Sequence, residues 1–388
     1  MTGTKKYKIL YLMEYPIDLP GGGQESTKTL CEGLASTGDF EPVVACPQLL
    51  TTTEGDYRYR IVTYKSDENR ELSKVRRISN FLSRIASFHR IIVKEQPDLI
   101  HVSMSESLIS FGALRVLGAY RKIPFIYTDR SLYYGYRKHS RSCIKATMKH
   151  AARMLTTTKF NASLWEKEVS VPITVIYNTI STAFSEYDPD KRSAMRDKYG
   201  VAEQETVIGF AGRISEEKDW GKVPGVVKAI AASGIKIKVA LVLSLYEEKD
   251  KQISETIKDG IISFVGSDNL IYMHDLDQKQ MSDYYYLVDF FIMTSNFESF
   301  GKAAVEAMSR KCVVLSTAVG GLPEVIDDRD DLYDMDDLTK LTDRIRQLAS
   351  SPSAMEDKRQ RCYRRFADNF TTDKNIEGHI KVYREILK

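Results

Sequence analysis

The segment Thr294-Ser295-Asn296-Phe297-Glu298-Ser299-Phe300-Gly301-Lys302-Ala303-Ala304-Val305-Glu306-Ala307-Met308 decides how the chain is read. Just before it, Asp289-Phe290-Phe291-Ile292-Met293 is short, apolar and aromatic, which predicts a buried strand. Lys302 to Met308, rich in Ala, Glu and Met, predicts a helix. The unit is therefore strand, tight loop, helix, with Ser299-Phe300-Gly301 at the helix start. Free backbone N–H groups and the positive end of the helix dipole make such a loop a seat for phosphate.

Glu298 and Glu306 are eight residues apart. A glycoside hydrolase pair needs its carboxylates roughly 5 to 9.5 Å apart, whereas eight helical residues rise about 12 Å. The two acids are better suited to touching different parts of one long ligand. A nucleotide-sugar fits, with its sugar at one carboxylate, its ribose at the other and its diphosphate over the helix N-terminus between them. The alternative is one loop acid and one helical acid with no shared ligand.

With Phe300-Gly301 between them, Glu298 and Glu306 resemble the E-x7-E motif of the retaining glycosyltransferases of family 4, which have the GT-B fold. Ser316-Thr317-Ala318-Val319-Gly320-Gly321-Leu322-Pro323-Glu324-Val325-Ile326 is similar to that family's next block. Gly212-Arg213 and Lys218 resemble its "G-R-x5-K" block, and Pro97-Asp98-Leu99-Ile100-His101 its "PDxxH" block. These matches span most of the chain. They imply that Arg213 and Lys218 clamp the donor diphosphate, Glu298 contacts the donor sugar, Ser299, Phe300 and Gly301 offer backbone N–H groups, and Glu306 binds ribose. His274 and Leu276 stand where relatives line the base pocket, although Gly is usual in place of His274, and a plain strand-end residue is the other reading of that histidine.

Length and composition agree with a two-domain protein. A chain of 388 residues suits two cores better than one. No apolar run approaches the roughly 18 residues of a membrane span, no signal peptide is expected from the first residues, and five scattered cysteines suggest reduced thiols in a cytoplasmic setting. The net charge of +3 hides an asymmetry. Between Arg70 and Lys159 there are eighteen Lys and Arg against five acids, so the rest of the chain is net acidic. A field concentrated in this way attracts anions such as lipid headgroups, a pyrophosphate-linked acceptor or nucleic acid.

The N-terminal half opens with a strand, Tyr7 to Met13, followed by Gly21-Gly22-Gly23 and a helix expected over 26–36. Strand, glycine loop and helix form the anion-binding arrangement of doubly wound sheets. The consecutive glycines are not a dinucleotide fingerprint. They resemble the family's N-terminal Gly-Gly loop, which implies that Gly22 and Gly23 face the diphosphate and the acceptor; a plain turn is the alternative. The run 70–95 predicts a helix with Ile78, Phe81, Leu82, Ile85, Phe88 and Ile92 at helical spacing and a basic polar face, suited either to packing on the core or to lying on an anionic membrane. Asp129-Arg130 stands where many relatives place a histidine near the reacting centre. That departure puts acceptor chemistry in doubt. The basic, tyrosine-rich loop that follows still suits phosphates and sugar rings, so Asp129, Arg130 and Tyr133 are candidate acceptor contacts.

Residues 185–191, polar and turn-rich, predict the linker between domains. The second half reads as strands at 206–212, 235–243, 269–276 and 312–315, with helices at 278–287, 332–349 and 352–369. The expected architecture is α/β, a GT-B fold of two Rossmann-like doubly wound domains facing across a cleft. The expected divisions are an acceptor domain over 1–185, a nucleotide-sugar domain over 186–372, and a C-terminal helix, 373–388, crossing back to the first.

The expected partners are a nucleotide-diphospho-sugar donor, UDP-sugar above others, a glycan or lipid-linked acceptor and an anionic membrane surface; nucleic acid and a metal cofactor are not expected. Three rivals remain. One is a metal-dependent GT-A transferase using one of four D-x-D matches at 188–190, 275–277, 328–330 and 334–336. Another is a sugar-nucleotide epimerase of the same fold. The third is a non-catalytic partner subunit that binds glycan or membrane.

Overall fold

The computed structural model describes residues 6–19, 21–51, 57–66 and 73–388. Short apolar runs become parallel strands, and the amphipathic runs between them become the helices that cover both faces, as parallel sheets require. The chain divides into two units, one of residues up to Thr179 together with Thr372–Lys388, the other Ile180–Thr371.

The first unit runs β1 (Tyr7–Leu12), α1 (Gly22–Thr37), β2 (Phe40–Pro47), β3 (Arg60–Tyr64), α2 (Lys74–Glu95), β4 (Leu99–Val102), α3 (Ser105–Val116), β5 (Phe125–Asp129), α4 (Lys138–Met148), β6 (Arg153–Thr156), α5 (Lys159–Trp165) and β7 (Ile173–Val175). The second runs α6 (Pro189–Lys198), β8 (Thr206–Arg213), α7 (Val223–Ala232), β9 (Ile237–Ser244), α8 (Glu248–Val265), β10 (Leu270–His274), α9 (Gln278–Leu287), β11 (Phe290–Met293), α10 (Lys302–Ser309), β12 (Val313–Thr317), α11 (Leu322–Ile326), β13 (Leu332–Tyr333), α12 (Thr339–Ala349) and α13 (Pro352–Asn369). The last helix, α14 (Thr372–Leu387), belongs to the first unit.

The strand orders are β3-β2-β1-β4-β5-β6-β7 and β10-β9-β8-β11-β12-β13. Every pairing among them is parallel, with β8 in register on β9 (Thr206 opposite Ile237) and on β11 (Ile208 opposite Phe290). In each sheet the order reverses beside the first strand, between β1 and β4 and between β8 and β11. Ligands of doubly wound sheets bind at the carboxyl ends of strands at such switch points. The segment from Thr294 leaves β11 at that place in the second sheet.

In the first unit, α14 is tied to the sheet by a buried polar chain. The Tyr11 and Tyr383 hydroxyls lie 2.7 Å apart, Tyr383 Oη meets His101 Nδ1 at 2.7 Å, and His101 Nε2 meets Thr128 Oγ1 at 2.7 Å. Burial, with the His379 and Arg130 charges nearby, holds the His101 imidazole well below its usual pKa, so it is neutral at physiological pH. Gly33 lets α1 approach α14 closely, since a Cβ there would meet Ile376 Cδ1 at 2.0 Å.

Several boundaries differ from those the sequence predicts. Helix α1 starts at Gly22 rather than at 26, so the glycines form its first turn and not a loop ahead of it. The expected linker at 185–191 contains the start of α6, where Asp188 accepts a hydrogen bond from the Asp190 N–H and Pro189 takes the first helical position. Aspartate at the cap with proline after it is a helix-start signal. The expected helix at 332–349 is a two-residue strand, β13, followed by α12. The run expected from Arg70 is helical from Lys74, and residues 70–72 lie outside the described residues. Of its apolar positions, Phe88 and Ile92 are buried while Ile78 and Leu82 face solvent.

Just past β1, the buried Glu14 carboxylate accepts the Ser107 N–H at 2.6 Å, at the N-terminus of α3. Burial pushes its pKa up to about 7, against that hydrogen bond. A carboxyl whose folded pKa is raised holds its proton longer in the native state, so its contribution to stability falls as pH rises from its unfolded value to about 7. Glu14→Gln keeps an acceptor for Ser107 and removes the ionisation. From pH 5 to pH 8 the stability difference between variant and wild type should move by about 2–3 kcal/mol in the variant's favour. Urea unfolding at the two pH values measures this, and a constant difference would show that Glu14 ionises as an ordinary carboxyl.

Candidate active site

The loop between β11 and α10 is fixed from two sides. Toward β8, the Thr294 hydroxyl donates to the Lys218 carbonyl at 2.8 Å, the Asn296 N–H to the Glu217 carbonyl at 3.0 Å, and the Asn296 amide to the Glu216 carbonyl at 3.1 Å. Toward β12, the Gly321 N–H donates to the Glu298 carbonyl at 3.1 Å and the Thr317 hydroxyl to the Ser295 carbonyl at 2.5 Å. The block 316–326 is thus joined to the carboxylate segment. Phe300 turns inward, its ring buried 5.7 Å from that of Phe370, so its side chain is withdrawn from the loop surface. Gly301 caps α10 at φ 92°, and a Cβ there would meet Leu322 Cδ2 at 2.5 Å. Both the left-handed conformation and the close approach require glycine.

Lys218 is the electrostatic centre of this site. Its Nζ lies 2.6 Å from Glu298 Oε2, with both side chains partly exposed. The Glu306 carboxylate accepts the Tyr285 hydroxyl at 3.2 Å. Burial raises the Glu306 pKa, opposed by Lys302, by the Tyr285 hydroxyl and by Lys218. Glu217 is held below the usual carboxylate range by the Ser215 hydroxyl and its own backbone N–H, then by the Arg213 and Lys218 charges. Arg213 ends β8 with its side chain in solvent, and its carbonyl accepts Trp220 Nε1 at 2.7 Å, which anchors the turn. The structure therefore brings Lys218 into contact with Glu298 and into electrostatic reach of Glu306, with Arg213 beside the same turn. His274 is exposed at the end of β10, paired with Asp275 at 3.0 Å, and Leu276 is half-buried just beyond. Both stand at the carboxyl edge of the same sheet as Arg213 and the 294–301 loop.

The "Glycosyltransferase Family 4" model matches residues 20–184, and the "Glycosyl transferases group 1" model matches residues 191–368. The chain belongs to the family 4-like glycosyltransferases of GT-B fold. Among curated relatives, the N-acetyl-alpha-D-glucosaminyl L-malate synthase of Bacillus anthracis is 23% identical over 218 residues, 56% of this chain and 54% of that protein. The chain spans about half the length of the curated relatives it matches. Among solved structures, a glycosyltransferase from Rickettsia africae superposes with a TM-score of 0.78 at 17% identity, covering 99% of each chain. Anabaena HepE in complex with UDP and glucose gives 0.75 at 14% identity, covering 97% of this chain and 99% of that one.

In the first unit of this glycosyltransferase, Gly22 and Gly23 form the first turn of α1, with Gly23 against Met104. Arg130 is half-buried, donates to the Ser103 carbonyl at 3.4 Å and forms no ion pair with a carboxylate among the described residues. Tyr133 packs edge-on against Trp165, with centroids 4.9 Å apart, and under the Arg141 guanidinium. Asp129 departs from its expected part as an acceptor contact. It is fully buried and accepts from Trp165 Nε1 (2.6 Å), Asn161 Nδ2 (2.9 Å), the Tyr136 hydroxyl (2.5 Å) and the Ser131 N–H (3.3 Å). Its lone pairs are already taken, so it shapes the 130–136 segment.

In the glycosyltransferase's D-x-D matches, the aspartates cap helices and turns. Asp188, Asp328 and Asp334 each accept the N–H two residues on, while Asp275 accepts from Leu245 and Asp277 caps α9. The bridging residues Thr294, Asn296, Thr317 and Tyr285 were not singled out in the sequence. The cue was the run of Thr, Ser and Asn between strand and helix, residue types that bond backbone groups in turns.

Proposed function

We propose that this glycosyltransferase moves a hexosyl or N-acetylhexosaminyl unit from a nucleotide-diphospho-sugar to a hydroxyl of a glycan or lipid-linked acceptor, with retained anomeric configuration, in cell-surface polysaccharide or glycoconjugate synthesis on the cytoplasmic side. The bond from anomeric carbon to diphosphate oxygen breaks, the acceptor oxygen takes the anomeric carbon, and the hydroxyl proton leaves with phosphate or water. Negative charge grows on the diphosphate. Lys218, Arg213 and the backbone N–H groups of Ser299, Phe300 and Gly301 at the start of α10 meet that charge without reorganising, which is the main way such a site accelerates reaction. Glu298 holds sugar hydroxyls and Glu306 the ribose, while His274 and Leu276 border the base. Gly22 and Gly23 face the diphosphate and the acceptor, Arg130 and Tyr133 serve the acceptor side, and Arg130, with no carboxylate partner among the described residues, fits an acceptor that carries an anionic group.

The observation that carries this reading is the 2.6 Å pairing of Lys218 with Glu298 at the switch point of the second sheet. The UDP complexes of the structural neighbour HepE favour a UDP-sugar donor. A thermal-shift screen of nucleotide-sugars tests it, since a ligand bound to the native state raises its melting point. A shift with at least one donor, and turnover of that donor that survives EDTA, is expected. Absence of any shift together with absence of turnover would refute the reading.

A further inference from the structure

Helix α2 is longer than the sheet it crosses. Its 22 residues rise about 33 Å, whereas the six residues of β1 extend about 20 Å. Only its C-terminal half is seated, through Phe88, Ile91 and Ile92. Along its length it presents a second apolar stripe to solvent. Val75 is 77% exposed, Ile78 62%, Leu82 58% and Val93 52%. These four fall within about 60° of one another around the helix axis. Arg76, Arg90 and Lys94, all exposed, lie about 60 to 100° round from Val75. Beside this face, the Tyr120 hydroxyl meets His89 Nδ1 at 2.5 Å and the His89 carbonyl at 3.3 Å. That contact seats the turn carrying Leu117, 85% exposed, and the exposed Arg121 and Lys122 against the same helix.

We propose that this face of α2 docks the protein on an anionic lipid surface, with the apolar stripe entering the headgroup–acyl boundary and the cationic flank meeting lipid phosphates. The charges select the occupant. Within α2 there are six Lys and Arg against one acid, Glu95, which is buried and ion-paired with Arg60. A second copy of the same face would set cation against cation. An apolar stripe with basic flanks is the signature of a helix lying in a membrane interface. Helix α2 belongs to the first unit and the donor loop to the second, and the docking proposed here does not depend on the transfer chemistry.

Co-sedimentation of the full chain with phosphatidylglycerol–phosphatidylcholine vesicles, against pure phosphatidylcholine vesicles, tests the proposal. Wild type is expected to pellet with the anionic vesicles and to be released by roughly 0.5 M salt, where charges are screened within a few ångström. I78S/L82S and R76Q/R90Q/K94Q should each lower partitioning about tenfold or more with an unchanged melting temperature, because every altered side chain is exposed. The nucleotide-sugar thermal shift of both variants should match wild type, so that failure here is distinguishable from failure of the transferase reading. Wild type remaining in the supernatant at low salt, variants that bind as wild type does, or a wild-type dimer that I78S/L82S renders monomeric would each overturn the proposal, the last in favour of self-association.

Discussion

Replacing Lys218 by alanine is expected to lower kcat/KM for sugar transfer about 10²-fold or more, the scale of losing one fixed electrostatic stabiliser, or about 2.7 kcal/mol of transition-state stabilisation. The side chain is poised rather than structural. Its ammonium sits on Glu298, but both groups are partly exposed, so the pair itself is worth less than about 1 kcal/mol of stability. A donor diphosphate entering the loop offers Lys218 a second, stronger anion. The variant should therefore melt close to wild type and fail in turnover. Lys218→Arg should recover only part of the loss, because a planar guanidinium cannot reproduce a compact ammonium at the same point. Initial rates with a donor found by thermal shift, alongside melting curves, separate these outcomes; undiminished turnover in Lys218→Ala would dismiss the clamp.

Asp289→Asn should be the most destabilising of the substitutions considered. The Asp289 carboxylate is buried at the foot of β11 and meets Arg192 and Arg196 of α6, Arg359 of α13 and the Val207 N–H at 2.8 Å. Burial alone would raise its pKa, yet Arg192, Arg359, the Val207 N–H and Arg196 together hold it below the usual carboxylate value. A folded pKa that is depressed contributes stability at neutral pH that is lost as pH falls through the carboxylate range. The amide leaves three partly buried cations without their counter-charge, a loss of about 3–5 kcal/mol, which for a unit of this size lowers the melting point by roughly 10 °C. Calorimetry at pH 7 measures it. The deficit should shrink toward pH 3, where wild type begins to protonate the same carboxyl.

The carboxylate segment was legible because three local signals coincided. Aromatic and apolar residues mark β11, Gly301 marks a backbone turn that no other residue takes cheaply, and Ala, Glu and Met mark α10. Arg213 and Lys218 stood out only through a resemblance, since two cations near acids have no periodicity of their own. The partners of Asp129 were not legible. Tyr136, Asn161 and Trp165 reach it from seven, 32 and 36 residues away, so an exposed acid and a saturated buried one look alike in sequence. Strand β13, two residues long, is too short to show alternation. The start of α6 was hidden by reading Asp188-Pro189-Asp190 as turn chemistry, although the same residues cap helices. Ile78 and Leu82 share the spacing of Phe88 and Ile92, and only the length of the sheet beneath α2 tells the exposed pair from the buried one.

The central claim is that the β8 turn and the α10 N-terminus of the second unit grip a nucleoside diphosphate through Lys218. Isothermal titration of UDP, GDP and ADP into wild type and Lys218→Ala tests it most directly. At least one of the three should bind wild type and lose at least about tenfold in affinity in the variant, the share of a charge-assisted contact made already in the ground state. Equal affinity in both proteins, or no binding of any of the three to wild type, would contradict it.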